Sequence, residues 1–246
     1  MSITQETWWE RLKVFEELNS TNIYAKEAAK AGAPHGTVIF AEKQTGAYGK
    51  LNRIWVSPKG GLWFSVILRP DKNIDGLSLL FALWTIDFFR AQTGLEFEFH
   101  WPNDIFLKDK KLGGILLEGV SRADNDFVVA GIGLNINNPS NEIPSEANAV
   151  SLCERTGREM NIDYLLEDLL LHLQFNYETY EKYGFKAFLD EILQICPMIG
   201  RTVNITTGQT SYNSKVLTIG DRGQLILESS NSEKSELWTC DKIRIV

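Results

Sequence analysis

The order of apolar and polar residues along the chain predicts short strands that alternate with helices. Phe97, Phe99 and Trp101 alternate with polar residues, and this period of two is typical of a strand. The segments on either side of the charged turn K-D-K-K predict a hairpin with a glycine kink at the start of its second strand. The predicted strands cover residues 37–42, 62–68, 96–101, 105–107, 112–118 and 126–137.

Helices are predicted where apolar residues recur every three or four positions. An alanine-rich helix is expected to begin at Ser20 or Thr21, either of which is a good N-terminal cap, and to end at Ala31. Residues 138–149 are rich in Asn, Pro and Ser and predict a surface loop, and residues 7–18 lead into the helix without an assigned element. The other predicted helices cover residues 74–92, 163–183 and 185–195.

From Gly200 onward the pattern changes to short β runs with turns between them. Several short strands with regular turns predict a small β-barrel or sandwich. We place the boundary near Pro197, so the first predicted domain covers residues 1–197 and the second covers 198–246.

The composition is that of a globular protein, with 43% hydrophobic and 23% charged residues. A net charge of −7 argues against broad electrostatic binding to nucleic acid, although a local basic pocket is compatible with it. Cys153, Cys196 and Cys240 have no metal-binding spacing, and their odd number favours a reducing compartment. The sequence shows no signal peptide and no apolar run of about 20 residues, so we expect a cytoplasmic protein without a membrane span.

Residues 41–60 form a long segment without a hydrophobic period, between two predicted strands. Its glycines let the backbone approach a ligand, and its cations Lys50 and Arg53 suit an anionic one. Tyr48 and Trp55 need burial or a stacking partner, and disordered loops rarely contain such residues. We therefore predict a ligand-binding loop; the alternative is a glycine-containing connection with a solvated basic edge.

Three further patches carry polar residues and glycines: S-T-N at 20–22, W-P-N-D with K-L-G-G-I-L at 101–116, and G-I-G-L-N-I-N at 131–137. Each patch has a purely structural alternative, namely a helix cap, a turn after proline and close packing of a strand. Together they offer hydroxyls, amides, glycine backbone and a carboxylate. They contain no His/Cys metal set, no Ser-His-Asp pattern, no complete dinucleotide fingerprint and no P-loop.

In this order and spacing, the four patches resemble the biotin protein ligase family. W-P-N-D-I followed by K-K-L-G-G-I-L-L-E is the most specific part, and V-A-G-I-G-L-N-I-N supports it. The resemblance covers nearly the whole chain and implies an α+β fold, in which a mixed β-sheet with packed helices is followed by a small C-terminal SH3-like β-barrel. It also implies an ATP-dependent, AMP-forming ligase that uses ATP, Mg²⁺ and biotin. Such an enzyme makes biotinyl-5′-adenylate and transfers biotin to a specific lysine of a biotin carboxyl carrier protein.

The resemblance also implies roles for individual residues. Two anions approach each other in the reaction, so cations must line the site; Lys111 is the expected principal cation, Lys50 the second, and Asp104 completes the catalytic set. Mg²⁺ is expected to bind through ATP, and Asn103 and Asp104 to orient the metal or the ribose, two roles that the sequence does not separate. The expected biotin-binding residues are Ser20, Thr21, Asn22, Gln44, Tyr48, Gly49, Lys50, Lys111, Gly113, Gly114 and Gly131. The expected ATP- or adenylate-binding residues are Tyr48, Lys50, Trp55, Asn103, Asp104, Lys111, Gly133 and Asn135.

The loop departs from the usual family pattern Q-T-x-G-R-G-R-x-G-R-x-W. Ala47 and Asn52 stand for glycines, although asparagine tolerates a positive φ. Tyr48 and Lys50 stand for arginines, and His100 replaces the usual lysine before W-P-N-D. Because positive charge is lost, two alternatives stay open: a ligase for another small carboxylic acid such as lipoate, and a catalytically weak module that binds biotin or its adenylate.

The stretch before Ser20 is too short for the helix-turn-helix domain of the family members that also act as repressors. The expectation is therefore a monofunctional ligase that does not bind nucleic acid. Dimerisation through the central domain is common in the family, so a homodimer is compatible with the resemblance.

Overall fold

A computed structural model describes residues 6–71, 74–120 and 126–246. Its larger sheet is built from β1 (Leu12–Leu18), β2 (Val38–Gln44), β3 (Leu62–Leu68), β4 (Glu98–His100), β5 (Asp104–Leu107), β6 (Lys110–Val120) and β7 (Phe127–Leu134). The order across the sheet is β1-β2-β3-β7-β6-β5-β4. β1 and β2 are parallel and the other neighbours are antiparallel, so the sheet is mixed, as predicted.

Helices cover both faces of this sheet. They are α1 (Thr21–Lys30), α2 (Leu77–Thr93), α3 (Leu152–Thr156), α4 (Ile162–Tyr183) and α5 (Leu189–Ile195). Ala25 and Ala29, four residues apart on α1, pack against Ile39, Ile67 and Val129 on one face of the sheet. On the opposite face α2 contacts the sheet, and α4 and α5 pack against α2. In the described part of the chain, no helix has the length and apolar character needed to cross a bilayer.

The C-terminal sheet is entirely antiparallel. Its strands are β8 (Thr202–Thr207), β9 (Thr210–Ile219), β10 (Leu225–Glu228), β11 (Lys234–Leu237) and β12 (Lys242–Ile245), in the order β11-β10-β9-β8-β12. Trp101 Nε1 donates to the backbone oxygen of Gly223 at 3.0 Å, and Arg222 forms an ion pair with Asp75. These contacts join the C-terminal sheet to the rest of the chain, while the exact domain boundary near Pro197 stays a prediction.

Most predicted elements are present with ends that differ by a few residues, but the prediction missed two and simplified one. β1 and α3 have no predicted counterpart. α3 begins with a capping box, in which the Ser151 side chain accepts from the Glu154 backbone and the Glu154 side chain accepts from the Ser151 backbone. The single helix predicted at 185–195 is divided into a 3₁₀ turn at Phe185–Phe188 and α5.

The three cysteine thiols differ in burial, and this difference predicts their reactivity. Cys196 and Cys240 are buried, whereas Cys153 is partly exposed. Burial raises the pKa of the Cys196 thiol to about 11, and burial also raises the pKa of the Cys240 thiol. Because the thiolate is the reactive form, we expect Cys153 to react with DTNB at pH 8 at least roughly tenfold faster than the other two. A stopped-flow titration of the native protein measures this, and Cys153→Ser should remove the fast phase; two fast thiols would contradict it.

Candidate functional site

A cleft of about 500 Å³ lies beside the N-terminus of α1. The loop 44–55, the turn between β4 and β5, and residues 240–244 of the C-terminal part form its walls. Among the residues predicted for the site, all but Gly113 and Asn135 line this cleft. Those that line it are Ser20, Thr21, Asn22, Gln44, Tyr48, Gly49, Lys50, Trp55, Asn103, Asp104, Lys111, Gly114, Gly131 and Gly133.

Two glycines of β7 form part of the floor of the cleft. Gly131 pairs with Ser65 of β3, in the middle of the sheet. A Cβ atom on Gly131 would lie 2.1 Å from Asn22 Oδ1, and one on Gly133 would lie 2.7 Å from Trp55 Nε1. The two glycines therefore share one face, as predicted, and they let Asn22 and Trp55 lie directly against the strand.

A cluster of hydroxyl and amide groups occupies one end of the cleft. Ser65 Oγ lies 2.6 Å from Asn22 Oδ1 and 2.8 Å from Thr21 Oγ1. Thr21 Oγ1 lies 3.1 Å from Gln44 Oε1, which also accepts the backbone N–H of Thr21 at 2.8 Å. The two hydroxyls carry one hydrogen each, so three oxygen–oxygen contacts share two hydrogens. The oxygens of this cluster keep free lone pairs, which can accept an N–H group of a ligand.

Next to this cluster, Glu118 of β6 joins α1 to the loop. Its carboxylate accepts from Asn22 Nδ2 at 2.8 Å, from Lys26 Nζ at 2.8 Å and from Tyr48 Oη at 2.9 Å. Lys26 Nζ also donates to Tyr48 Oη at 2.8 Å. Tyr48, which stands where the family pattern has an arginine, is thus bonded to a cation that comes from α1.

The protonation states of this group follow from its contacts. Burial opposes the charge on Glu118, but hydrogen bonds from Lys26, Asn22 and Tyr48 outweigh burial and lower the pKa of the carboxyl. Burial likewise opposes the charge on Lys26, yet its bonds to Glu118 and Tyr48 raise the pKa of the ammonium. Burial raises the pKa of the Tyr48 phenol. At neutral pH the group therefore holds one carboxylate, one ammonium and one neutral phenol.

The other end of the cleft carries the predicted principal cation. Lys111 Nζ forms an ion pair with Asp104 Oδ1 at 2.7 Å and lies 5.1 Å from the ring centre of Trp55. Trp55 Nε1 is buried and, among the described residues, has no hydrogen-bond partner. The ammonium, the carboxylate and the indole ring thus meet at one place in the cleft.

A β-bulge directs Lys111 into the cleft. Ile105 pairs with Gly113 and Phe106 with Lys111, so Leu112 is an extra residue in β6. Lys111 and Gly114 consequently share a face: a Cβ atom on Gly114 would lie 3.7 Å from Lys111 Cε and 3.2 Å from Asp104 Oδ1. The glycine kink predicted at the start of this strand corresponds to this bulge.

The second predicted cation is directed toward the C-terminal sheet. Lys50 Nζ donates to Thr239 Oγ1 and to the backbone oxygen of Cys240, each at 2.7 Å, and burial lowers the pKa of the Lys50 ammonium. Arg53 Nη2 donates to the backbone oxygen of Asp241 at 2.7 Å. The loop is thereby fastened to the segment before β12, and the catalytic role of Lys50 stays a prediction.

The loop and the turn before β5 each contain an uncommon backbone conformation. Asn52 has a positive φ of 56°, in agreement with its place in a glycine position of the family pattern. The peptide bond between Trp101 and Pro102 is cis. His100, on the cleft wall, stacks on Phe106 with 3.9 Å between ring centres, and its Nε2 lies 3.0 Å from Glu98 Oε2.

Some predicted site residues also serve the fold. Asn103 lines the cleft, but its Nδ2 donates to the backbone oxygen of Ile115 at 2.7 Å. Asn135 is buried, and its Oδ1 accepts from Asn138 Nδ2 at 3.0 Å. Gly113 faces away from the cleft, since a Cβ atom there would meet Leu134 of β7. The ligand contacts predicted for these residues are not visible in this arrangement and stay predictions.

Comparisons with known proteins agree with the architecture and with the cleft. A sequence profile of the biotin/lipoate A/B protein ligase family matches residues 14–135. The chain is 33% identical over 243 residues to the bifunctional ligase/repressor BirA of Bacillus subtilis, and the match covers 96% of this chain and 74% of that protein. The chain belongs to the biotin protein ligase family. The predicted resemblance is therefore confirmed.

Two further members of the biotin protein ligase family are similar over most of their length. The biotin–[acetyl-CoA-carboxylase] ligase of Paracoccus denitrificans is 29% identical over 219 residues, covering 85% of this chain and 90% of that one. A biotin protein ligase from Aquifex aeolicus, solved in complex with biotin and ATP, superposes with a TM-score of 0.83 at 28% identity and covers 96% and 99% of the two chains. This match confirms the predicted fold class.

Several residues in or beside the cleft of this biotin protein ligase family member were not predicted from the sequence. Ser65 could have been found, because it is the one polar residue in the buried strand L-W-F-S-V-I-L. Lys26 carried no signal, since it lies outside the four patches, and Glu118 ends the motif K-K-L-G-G-I-L-L-E but was assigned no role. Cys240 and Asp241 lie about 190 residues from the loop that contacts them, a separation that no local pattern reveals.

Proposed function

We propose that this chain activates biotin with ATP, forming biotinyl-5′-AMP and pyrophosphate, and then transfers biotin to a specific lysine of a biotin carboxyl carrier protein. One observation carries the proposal: a single cleft holds a cluster of hydroxyl and amide groups at one end and the Lys111–Asp104 pair at the other. Membership of the family supports it, as does the similarity to the Aquifex aeolicus enzyme that binds biotin and ATP.

The cluster of hydroxyl and amide groups suits the cyclic urea of biotin. A cyclic urea presents one carbonyl acceptor and two N–H donors on a small neutral ring, which directed hydrogen bonds hold best. Thr21, Ser65 and Gln44 are already linked to one another by hydrogen bonds in which hydrogens are scarce. A urea N–H can donate to an oxygen of this network, so ring binding adds a hydrogen bond to it.

The cation end suits the chemical step. In the first reaction an oxygen of the biotin carboxylate bonds to the α-phosphorus of ATP, while the bond from that phosphorus to the pyrophosphate oxygen breaks. The Lys111 ammonium, paired with Asp104 in the cleft, is proposed to stabilise the two anions as they approach each other. In the second reaction the acceptor lysine amine bonds to the acyl carbon, AMP leaves and the amine loses a proton.

The residues near Lys111 also fit a magnesium ion that arrives with ATP. Mg²⁺ usually keeps several waters and binds one or two carboxylates together with substrate phosphates. Asp104 offers such a carboxylate on the cleft wall. Asp104 is therefore the residue that would hold the ion, which would neutralise phosphate charge there.

The remaining parts of the proposal concern where and with what the chain acts. The acceptor is a biotin carboxyl carrier protein, the location is the cytoplasm, and nucleic acid is not a partner. Self-association as a homodimer is compatible with this function.

The proposed substrate can be tested by acid-dependent exchange of labelled pyrophosphate into ATP. We expect exchange with biotin to exceed exchange with lipoate or octanoate by roughly a hundredfold or more, because a site built to bond a polar ring rejects acids that lack it. Transfer is then followed by mass spectrometry of a carrier domain and of the same domain with its acceptor lysine replaced by arginine. Strong exchange with lipoate and none with biotin would replace the substrate, and no exchange with any acid would favour a binding module.

A further inference from the structure

Glu118 lies behind the wall of the cleft and connects α1 to the loop 44–55. It accepts hydrogen bonds from two residues of α1, Asn22 and Lys26, and from Tyr48 of the loop. Asn22 and Tyr48 line the cleft, whereas Glu118 and Lys26 do not. One carboxylate therefore fixes two side chains that face the ligand without facing it itself.

We propose that Glu118 and Lys26 are positioning residues that hold the loop 44–55 closed over the cleft before any ligand binds. The effect on catalysis rests on the proposed function, whereas the closed state of the loop does not. We call Lys26, Tyr48 and Glu118 the loop clasp.

The clasp depends on charge as well as on shape. The Tyr48 phenol has one hydrogen, and at 2.9 Å from Glu118 Oε2 it donates that hydrogen to the carboxylate. Lys26 Nζ lies 2.8 Å from both Tyr48 Oη and Glu118 Oε1, so it bonds the free lone pair of the phenol and neutralises the anion. Hydrogen bonds to charged groups are stronger than those between neutral groups. Without the ammonium, the Tyr48 phenol would lose such a bond and the half-buried Glu118 carboxylate would lose its neutralising cation.

Backbone contacts carry this restraint from Tyr48 to the rest of the loop. Tyr48 forms an antiparallel bridge with Ile54, and the Gly49 N–H donates to the Arg53 backbone oxygen at 2.8 Å. These contacts close the loop into a narrow hairpin with Lys50 near its tip. Fixing the phenol therefore fixes the whole hairpin on the side of α1.

The same carboxylate orients the ligand-facing amide of Asn22. Glu118 Oε2 accepts from Asn22 Nδ2 at 2.8 Å, which leaves Asn22 Oδ1 directed at Ser65 Oγ, 2.6 Å away. If Glu118 were neutral or absent, nothing in this contact would prevent the amide from turning over. The clasp is thus coupled to the hydroxyl and amide cluster that is proposed to bind the ring.

Trypsin provides a test that needs no substrate, because cleavage after Lys50 and Arg53 requires the loop to open and these two side chains to leave their bonds with residues 239–241. We expect Lys26→Met and Tyr48→Phe to speed cleavage at these two sites about tenfold, the effect of losing one charge-assisted hydrogen bond. Mass spectrometry identifies the sites, and thermal unfolding confirms that each variant is folded. Lys30→Met, on the same helix and paired with the exposed Glu27, is the matched control and should behave like the parent. Parent-like cleavage in both clasp variants would overturn the proposal.

A second substitution distinguishes a charge requirement from simple loss of packing. In Lys26→Met combined with Tyr48→Arg, the guanidinium reaches the carboxylate from the loop itself and should restore slow cleavage after Lys50 and Arg53; cleavage at the new site at position 48 is counted separately by mass spectrometry. Tyr48→Arg alone places two cations beside one carboxylate and should be cut faster than the double variant. If the double variant is cut as fast as Lys26→Met, charge at Glu118 does not hold the loop and the proposal fails.

Kinetics then connect the clasp to the proposed reaction. We expect Lys26→Met to raise the KM for biotin about tenfold with kcat changed less than about twofold, because the clasp organises the cleft and touches no reacting atom. A fall in kcat with an unchanged KM would contradict a positioning role. If the parent shows no biotin-dependent exchange, the proposed function fails, and the trypsin result still decides whether the clasp exists.

Discussion

Replacing Lys111 with alanine is expected to slow biotin-dependent pyrophosphate exchange about 100- to 1,000-fold, a range typical of removing one group that stabilises a transition state. The Lys111 ammonium lies 2.7 Å from Asp104 in the cleft, and in the proposed reaction it stabilises the approaching carboxylate and phosphate. Its removal also leaves the Asp104 carboxylate as an additional unpaired anion. Initial exchange rates over a range of biotin concentrations measure the effect on kcat and KM separately.

Two controls separate the causes of this loss. In Lys111→Ala combined with Asp104→Asn the unpaired carboxylate is gone, and we expect less than about a tenfold recovery because the cation is still missing. Lys110→Ala removes a neighbouring cation of the same strand that does not line the cleft and should keep the rate of the parent. Full recovery in the double variant would assign the loss to the carboxylate, and a parent-like rate in Lys111→Ala would remove Lys111 from the mechanism.

Replacing Gly113 with alanine is expected to lower the free energy of unfolding by roughly 3 kcal/mol, at the upper end of the usual cost of overpacking. The added Cβ atom would lie 2.5 Å from the Gly133 backbone oxygen and 2.5 Å from Leu134 Cδ2. The backbone oxygen belongs to β7 and cannot move without separating two central strands. Urea unfolding followed by circular dichroism measures the change.

Gly119→Ala is the matched control because Gly119 belongs to the same strand. The atom nearest to its added Cβ would be Val128 Cγ2, 4.0 Å away. We expect it to change the free energy of unfolding by less than about 1 kcal/mol, in the stabilising direction, since alanine loses less backbone freedom on folding than glycine. Normal stability of Gly113→Ala with a raised KM for biotin would restore the ligand-binding role that the sequence suggested for Gly113.

Local patterns in the sequence predicted most of the fold but missed β1, one of the two edge strands of the larger sheet. β3 has seven consecutive buried positions, and its apolar run predicts a buried strand directly from the sequence. In β1 the least exposed positions, Leu12, Phe15 and Leu18, recur every third residue, which is not the period of a strand. β1 becomes a strand because it pairs with β2 in parallel, and this contact is invisible in a window of a few residues.

The candidate site shows the same limit in finer detail. The motif containing Lys111 and Gly114 indicated that both residues belong to the site. In a regular strand, however, two residues three positions apart face opposite sides. Only the extra residue Leu112 brings the two onto one face, and it turns Gly113 toward the core instead. A motif therefore identified the place, whereas the pairing of β5 with β6 decided which side chains reach it.

The interpretation of Tyr48, which stands where the family pattern has an arginine, changes once its distant contacts are known. In the sequence, it signifies the loss of a cation from the loop. In the structure, Lys26 supplies an ammonium 2.8 Å from the phenol. The positive charge is thus present near Glu118, but it comes from another element, which no comparison of the loop alone could show.

The bonds between the loop and the segment before β12 depend on side chains on the loop side and on main-chain oxygens at Cys240 and Asp241. Lys50 and Arg53 contribute side-chain donors, whereas Cys240 and Asp241 contribute only main-chain oxygens to these bonds. Every amino acid carries a main-chain oxygen, so these two bonds do not depend on which side chain stands at positions 240 and 241. Those side chains are restricted for other reasons, because Cys240 is buried and the Asp241 carboxylate accepts the Gly208 backbone N–H at 2.7 Å, whereas on the loop side the bonds themselves require long cationic residues.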